Sequence, residues 1–133
     1  MTGLVVDTSA IIAILRDEPE KDRYFDAMLQ ATPCLMSAVS LQEARMVVAG
    51  RDGGEDTWQV LDAMIAGLGL EVVAHDANLA RVAGQAFLQY GKGRHRARLN
   101  FGDCAAYALA KTRGMKLLFK GNDFSATDVP AAV

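Results

Sequence analysis

Short apolar runs alternate with helix-length segments along this chain, and this alternation limits the possible folds more than any other sequence feature. Runs at 4–6, 34–36, 70–74 and 115–119 predict strands, and a weaker run lies near Val129. Crossovers between parallel strands need a dozen or more residues and are usually helical. The prediction is therefore one α/β domain over residues 1–133, with a central parallel sheet of four to five short strands and helices on both faces.

The segments between the strands carry helix signals. Asp7 can cap a helix after the first strand, and Ser37 or Ser40 can cap one after the second, which Gly50 ends. The run at 70–74 is interpreted as a buried strand. An alanine-rich helix is closed by Gly114 before the last strong strand. Other helices are predicted from Pro19 to the breaker at 32–33, over 55–66, and from Asp76 to about residue 90.

Composition and charge exclude several classes of protein. The chain is 51% hydrophobic and 23% charged, which is typical of a globular domain and not of a disordered one. Its net charge of −2 does not by itself mark a nucleic-acid binder. The apolar stretch over 4–15 is shorter than the roughly 20 residues that span a bilayer, so no membrane segment or export signal is expected. Cys34 and Cys104 lack metal or redox spacing, which favours a reducing, cytoplasmic setting.

One run of basic residues interrupts this slightly acidic chain. Lys92, Arg94, Arg96 and Arg98 fall within seven positions, with His95 among them. Such a loop can contact RNA phosphates, and it can equally be a solvated surface loop. No aromatic residue interleaves with it, so the run alone gives no support for base stacking.

Four acidic residues are placed where chemistry is expected in such a fold. Asp7 follows the first strand, Glu43 and Asp103 lie in the first turns of predicted helices, and Asp123 follows the last strong strand. Sites in open parallel sheets form beyond the carboxyl ends of the strands. Converging carboxylates repel one another unless a cation compensates them, and oxygen ligands suit Mg²⁺ or Mn²⁺. A metal-bound water can attack a phosphodiester, so the pattern suggests a nuclease.

Each of these acids also has a purely structural interpretation. Asp7 could be only a helix N-cap, and Asp103 could only favour a helix dipole. Glu43 could complete a capping box with Ser40. Asp123 could be a turn residue. Sequence spacing alone leaves these alternatives open.

Four motifs in order resemble a known family. They are LVVDTSA at 4–10, the serine–glutamate helix start ending in EAR at 43–45, NFGDC at 100–104 and LLFKGNDF at 117–124. Together they resemble the PIN-domain ribonucleases, specifically the VapC-type toxins of type II toxin–antitoxin systems. The resemblance implies a PIN fold, Mg²⁺- or Mn²⁺-dependent RNA cleavage, and a cognate antitoxin that binds the toxin and blocks its site.

The same resemblance implies roles for individual residues. Asp7 and Asp103 would be the principal metal ligands, and Glu43 and Asp123 would complete the acidic pocket, directly or through water. A hydroxyl beside the first acid, from Thr8 or Ser9, would orient a ligand or water. Asp128 competes with Asp123 as the fourth acid, although a solvated turn is the alternative for it.

Partner surfaces and competing functions complete the hypotheses. Ile12, Leu15, Tyr24 and Phe25 are expected to form part of an antitoxin or homodimer surface, and core burial is the alternative.

A PIN-like domain that binds RNA or protein without catalysis is a second possible function. A phospho-accepting receiver domain is a third, but it requires an acidic pair after the first strand, where this chain has Asp7 alone.

Overall fold

A computed structural model describes residues 2–133, with the backbone alone at residue 52. Four strands run over β1 (Leu4–Val6), β2 (Cys34–Ser37), β3 (Leu70–Val73) and β4 (Lys116–Leu118). Six α-helices connect them, and a short 3₁₀ helix, Asp123–Ala126, follows β4. The α-helices are α1 (Thr8–Leu15), α2 (Lys21–Leu29), α3 (Ala38–Asp52), α4 (Asp56–Gly67), α5 (Ala77–Tyr90) and α6 (Phe101–Arg113).

The four strands form one parallel sheet in the order β3-β2-β1-β4. This arrangement confirms the predicted α/β class. The weak fifth strand near Val129 is not present within residues 2–133. A single bridge joins Leu117 to Ala131 instead, because Pro130 has no N–H to extend a ladder and only its carbonyl pairs with β4.

Side chains that alternate along the strands feed two apolar layers, one on each face of the sheet. Val5, Leu35 and Leu117 pack against α5 and α6. Val6 and Met36 point to the other face, against α1, α2, α3 and α4. The small side chains of α6 let its backbone lie close to the sheet, and residues 102–110 are all buried. Helices therefore cover both faces, as predicted.

Several element boundaries differ from the prediction. α2 begins two residues after Pro19, and α3 continues past Gly50 to end at Gly53, whose φ of 117° suits glycine. β3 was expected to be buried, but Glu71 and Val72 are exposed. β3 is an edge strand, so it is covered less completely than β1 and β2. No helix within residues 2–133 is long and apolar enough to cross a membrane.

Candidate active site

Asp7 stands at the junction of β1 and α1, near the centre of the sheet. Its backbone N–H donates to the Leu118 carbonyl of β4 at 2.9 Å, and its side chain is the N-cap of α1. Oδ2 accepts hydrogen bonds from the Ser9 backbone N–H at 3.0 Å and from Ser9 Oγ at 2.6 Å. Oδ1 is buried and has no partner among the described residues. One Asp7 oxygen is thus fixed by the fold, while the other remains available to a ligand.

The two hydroxyls beside Asp7 have different roles. Ser9 Oγ donates to Asp7 and accepts the Lys120 backbone N–H at 2.9 Å, so it ties the acid to the loop after β4. Thr8 Oγ1 donates to the Ser40 carbonyl at 3.1 Å and anchors α1 on α3. Ser9 is therefore the hydroxyl that orients the acid, while Thr8 is committed to a buried structural bond.

Asp103 is the third residue of α6 and has both a structural role and a place in the acidic pocket. The Asn100 side chain accepts the Asp103 N–H at 2.9 Å, and Asp103 Oδ2 accepts the Asn100 N–H at 3.0 Å. This reciprocal pair is a capping box. The Asp103 side chain also lines the same cavity as Asp7. The structural role holds the carboxylate in place and does not remove it from the site.

Glu43 lies in the second turn of α3 and not in the first, because Ser37 is the N-cap of that helix. The capping box with Ser40 is therefore wrong, and the Ser40 hydroxyl is buried without a hydrogen-bond partner among the described residues. The Glu43 carboxylate lies instead against Gly102 of α6. A Cβ atom at position 102 would come within 2.5–2.8 Å of that carboxylate, so glycine leaves the room that Glu43 occupies.

Burial and mutual repulsion perturb the two central acids. Burial raises the pKa of Asp7 to about 6, against the opposing hydrogen bonds from Ser9, and the charge of Glu43 raises it further. Burial likewise raises the pKa of Asp103 to about 7, and the charges of Asp7, Asp123 and Glu43 contribute to the increase. The carboxylates thus lie close enough to disfavour one another's ionisation, which a bound cation would relieve.

The two candidates for the fourth acid have different environments. Asp123 is exposed on the 3₁₀ helix, and its charge still acts on Asp103. Asp128 accepts hydrogen bonds from the Tyr107 hydroxyl and from Lys111 Nζ, which holds the pKa of Asp128 below its usual value. Asp128 is therefore engaged away from the acidic pocket, and Asp123 is the better candidate.

A groove of about 400 Å³ between α1 and α3 contains the central acids. We call this cavity the α1–α3 groove. Its acidic end carries Asp7, Glu43 and Asp103, and its other lining residues include Arg16, Arg51 and Lys120. The groove therefore carries both signs of charge.

The sequence and the fold of this chain are similar to those of known proteins. Residues 4–130 match the family model described as PIN domain. The chain belongs to the PIN-domain family. It is 46% identical over 127 residues to a VapC ribonuclease of Mycobacterium bovis, with 95% of each chain covered. It is 45% identical over 128 residues to the ribonuclease VapC of Mycolicibacterium smegmatis, covering 96% of this chain and 98% of that one.

Solved structures agree with this PIN fold. VapC20 of Mycobacterium tuberculosis, described as a sarcin–ricin loop cleaving toxin, superposes with a TM-score of 0.75 at 20% identity, covering 96% of each chain. VapBC2 of Rickettsia felis, bound to a DNA fragment from its promoter, gives a TM-score of 0.75 at 15% identity, covering 96% of this chain and 95% of that one. The predicted resemblance to VapC-type PIN domains is confirmed.

The carboxylates of this PIN domain form a partial donor set for a metal ion. Among residues 2–51 and 53–133, no group of three or more His, Cys, Asp or Glu side chains lies close enough together to hold a metal ion. Mg²⁺ commonly keeps several waters and binds through one or two carboxylates, so a full protein cage is not required. The unpartnered Oδ1 of buried Asp7 and the neighbouring acid Asp103 fit that mode of binding.

The basic loop of the PIN domain is ordered along its backbone and charged at its surface. A bridge joins Gly91 to Leu99, and His95 Nδ1 accepts the Ala97 N–H at 3.0 Å. The four basic side chains are exposed and line an open depression of about 540 Å³, namely Lys92, Arg94, Arg96 and Arg98. They do not line the groove that holds the acids.

Sequence reasoning missed the cations of the groove. Lys120 Nζ pairs with Glu18 Oε1 at 3.0 Å and with Glu20 Oε1 at 3.4 Å, while Arg16 and Arg51 come from helix ends. Arg16 and Arg51 each lie four residues after an apolar residue, Ile12 and Val47 respectively. This spacing places each arginine on the same helix face as the apolar residue and could have indicated a shared groove. An apolar cleft of about 620 Å³ adjoins the groove; it shares Glu43 and Val47 with it and also contains Phe101.

Proposed function

We propose that this PIN domain is a metal-dependent endoribonuclease toxin that hydrolyses RNA phosphodiester bonds at the acidic end of the α1–α3 groove. The observation that carries the proposal is the pairing of buried Asp7, with its unpartnered Oδ1, and Asp103, with a pKa raised to about 7 beside it. Relatives at 46% identity are ribonucleases, which supports the same reaction for this chain.

Asp7 and Asp103 would hold Mg²⁺ or Mn²⁺, and Glu43 and Asp123 would complete the pocket directly or through water. When bound, the metal would lower the pKa of a coordinated water and stabilise the charge that develops on the phosphate. The protein's own part is to hold the acids ready. Ser9 fixes one oxygen of Asp7, and the Asn100 N–H fixes one oxygen of Asp103.

RNA is held, in this proposal, partly by the basic loop. The loop directly precedes the helix that carries Asp103. It presents four exposed cations, Lys92, Arg94, Arg96 and Arg98. Phosphate contacts of this kind are independent of sequence and sensitive to salt. The loop would position the RNA without selecting bases.

The cleavage assay uses Asp7→Asn and Asp103→Asn. We expect each variant to lose at least about a hundredfold of its metal-dependent RNA cleavage, since even substitutions of residues that only support metal ligands lower activity by 10–100-fold. Asn preserves both caps, so circular dichroism should show an intact fold. Asp26→Asn, an exposed acid on α2, is the matched control and should retain activity.

Two results would contradict this function. Wild-type protein that binds RNA but does not cleave it with Mg²⁺ or Mn²⁺ present would favour the non-catalytic binding domain. Near-wild-type cleavage by Asp7→Asn would remove Asp7 from the metal site.

We also propose a cognate antitoxin as the protein partner and a homodimer as the assembled form. Structural neighbours include the DNA-bound VapBC complex of Salmonella typhimurium, which supports an antitoxin partner. Of the predicted surface residues, Tyr24 is only 2% exposed and belongs to the core, so its assignment to a surface is wrong. Ile12 and Leu15 are half-buried and line surface cavities, and Phe25 is 38% exposed.

The antitoxin surface can be tested by co-expression with a cognate antitoxin. We expect Leu15→Asp and Phe25→Asp to reduce co-purification because each buries a charge at the proposed contact. Leu88→Asp, at an exposed apolar position of α5, is the control and should co-purify normally. Loss of co-purification in Leu88→Asp but not in the α1 and α2 variants would place the surface on α5.

A further inference from the structure

We propose that the basic end of the α1–α3 groove, formed by Arg16 and Arg51, is a subsite for a backbone phosphate of single-stranded RNA, a few nucleotides along the strand from the phosphodiester at the acidic end. This inference rests on the proposed function. It adds the path of the RNA, which would run along the groove from the acidic end to the basic end.

Helix geometry sets the two walls of the groove. Ser9, Ile12 and Arg16 follow one another at spacings of three and four along α1 and into its C-cap. Residues at such spacings share one face of a helix. α3 contributes a second set at spacings of four, namely Glu43, Val47 and Arg51. Each wall therefore passes from a polar or acidic residue, through an apolar one, to an arginine.

The apolar middle of the groove keeps the two charges apart. Ile12 and Val47 lie between the acids and the arginines along their helices. Glu43 and Arg51 are eight residues apart, which is about 12 Å along an α-helix. At a rise of roughly 3.4 Å per nucleotide in a stacked strand, that distance spans only roughly three or four nucleotides. A phosphate at each end is therefore compatible with one short stretch of RNA.

Arg16 differs from Lys120, another cation that lines the groove. Lys120 is held by Glu18 and Glu20, so its charge is already compensated. Arg16 forms no ion pair with the side chains that the structure describes, and its buried Nη2 has no hydrogen-bond partner there. A buried donor without an acceptor is unfavourable, and a guanidinium offers two parallel N–H groups to phosphate oxygens. The geometry thus favours a phosphate over a single-point ligand.

An RNA strand suits the whole groove better than an acidic peptide does. A peptide carboxylate could pair with Arg16. The rest of the acidic peptide would then lie beside the carboxylates of Asp7 and Glu43, and it has no group that these carboxylates would bind. RNA presents one phosphate to the metal at the acidic end and a phosphate further along the same strand to the arginines. The polarity of the groove therefore matches a phosphodiester chain.

The test measures RNA binding in a background that does not cleave. Asp103→Asn protein binds a fluorescent, mixed-sequence single-stranded RNA in Mg²⁺, and affinity is measured by anisotropy over a salt series. Adding Arg16→Gln should weaken binding roughly tenfold, as expected for one charge-assisted contact. It should also lower the slope of log K against log salt by about 0.7. Arg81→Gln on α5, an exposed arginine outside the groove, is the control and should change neither quantity.

Two further variants separate the loss of a phosphate contact from a folding defect. Arg16→Lys should restore the salt slope but only part of the affinity, since lysine keeps the charge and lacks the forked donor. Arg51→Gln, an exposed position, should repeat the effect of Arg16→Gln even if that variant unfolds. In the cleaving protein, Arg16→Gln should raise KM more than it lowers kcat.

The possible outcomes separate this subsite from the ribonuclease proposal. A wild-type protein that does not cleave RNA contradicts the function itself. A protein that cleaves RNA while Arg16→Gln and Arg51→Gln keep the wild-type affinity and salt slope contradicts the subsite alone. If both variants bind RNA normally but fail to co-purify with the antitoxin, the subsite is overturned in favour of an acidic protein ligand.

Discussion

The basic loop leads in sequence to Asp103 of the acidic pocket, but the loop and the pocket lie in opposite physical environments. The loop ends at Asn100, which caps the helix that carries Asp103. Asp7 and Asp103 are 4% and 9% exposed, whereas the four cations of the loop are all exposed. Burial raises the pKa of both acids towards neutrality. Burial in the fold, and not the presence of charge alone, therefore perturbs the pKa of these ionisable residues.

The same difference decides how each region responds to its surroundings. Buried charges interact strongly because the local dielectric is low, while exposed charges are screened within about 10 Å at 0.1 M salt. The pocket should therefore respond to pH and to divalent cations, and the loop to ionic strength.

The largest expected effect is on the stability of the metal-free pocket. Because folding raises the pKa of Asp7 and Asp103, the folded protein takes up protons more readily than the unfolded chain. The resulting destabilisation is fully present above about pH 7 and disappears as the pH falls towards 3.8. We expect Asp103→Asn, in EDTA at pH 8, to melt roughly 3–6 °C above the wild type, and the gap to narrow at pH 5.

Added Mg²⁺ should reverse the order of the melting temperatures of the wild type and Asp103→Asn. Mg²⁺ binds only the folded wild type strongly, so its melting temperature should rise with metal concentration, and that of Asp103→Asn should rise less. Asp26→Asn should follow the wild type throughout. Glu20 is not a suitable control because it pairs with Lys120 at the groove. Identical melts of wild type and Asp103→Asn at pH 8 would mean that neither burial nor the neighbouring acids destabilise the charge on Asp103.

A smaller effect is expected when the pocket is altered without changing its charge. A Cβ at Gly102 would press on the Glu43 carboxylate, which is the mobile end of a side chain and can move away. Gly102→Ala should therefore keep its melting temperature while cleavage falls roughly tenfold, since small misplacements of site groups reduce rates strongly. Gly84→Ala on α5, where a Cβ meets nothing within 4 Å, is the control. Unchanged cleavage in Gly102→Ala would show that the position of Glu43 is unimportant.

The smallest effect is expected at the loop. Arg94→Gln with Arg96→Gln should weaken RNA binding a few-fold and reduce the salt slope by about 0.7 for each phosphate that the loop no longer neutralises. Cleavage of bound RNA and the melting temperature should change little, because both side chains are exposed. Arg98 is left intact because its φ of 56° makes substitutions there difficult to interpret. An unchanged salt slope would identify the run as a solvated loop.

Local sequence signals predicted much of this structure. The apolar runs located all four strands, and Gly114, with its φ of 63°, ends α6 as expected. Asp7, the N-cap of α1, and Asp103, in the first turn of α6, also lie where the sequence predicts them, because the residue preferences of a helix start are local. For these two acids the structural interpretation and the site geometry occur together.

Features that depend on tertiary packing could not be read in the same way. The pairing of Ser40 with Glu43 matched a capping box, but the helix begins at Ser37, and Glu43 faces Gly102 from another part of the chain. The edge position of β3 depends on strand order, which residue spacing does not encode. The arginines of the groove come together only when α1 packs on α3.

The hydrogen bonds around Asp7 also bear on when the pocket can form during synthesis. The Asp7 N–H is bound by the Leu118 carbonyl, and Ser9 Oγ is bound by the Lys120 N–H, 111 residues further along the chain. A nascent chain that ends at Gly114 already contains Asp7 and Asp103 but neither of these later partners. Contacts so distant in sequence form late because a long loop must close first. Translation of nearly all of this sequence therefore precedes assembly of the acidic pocket.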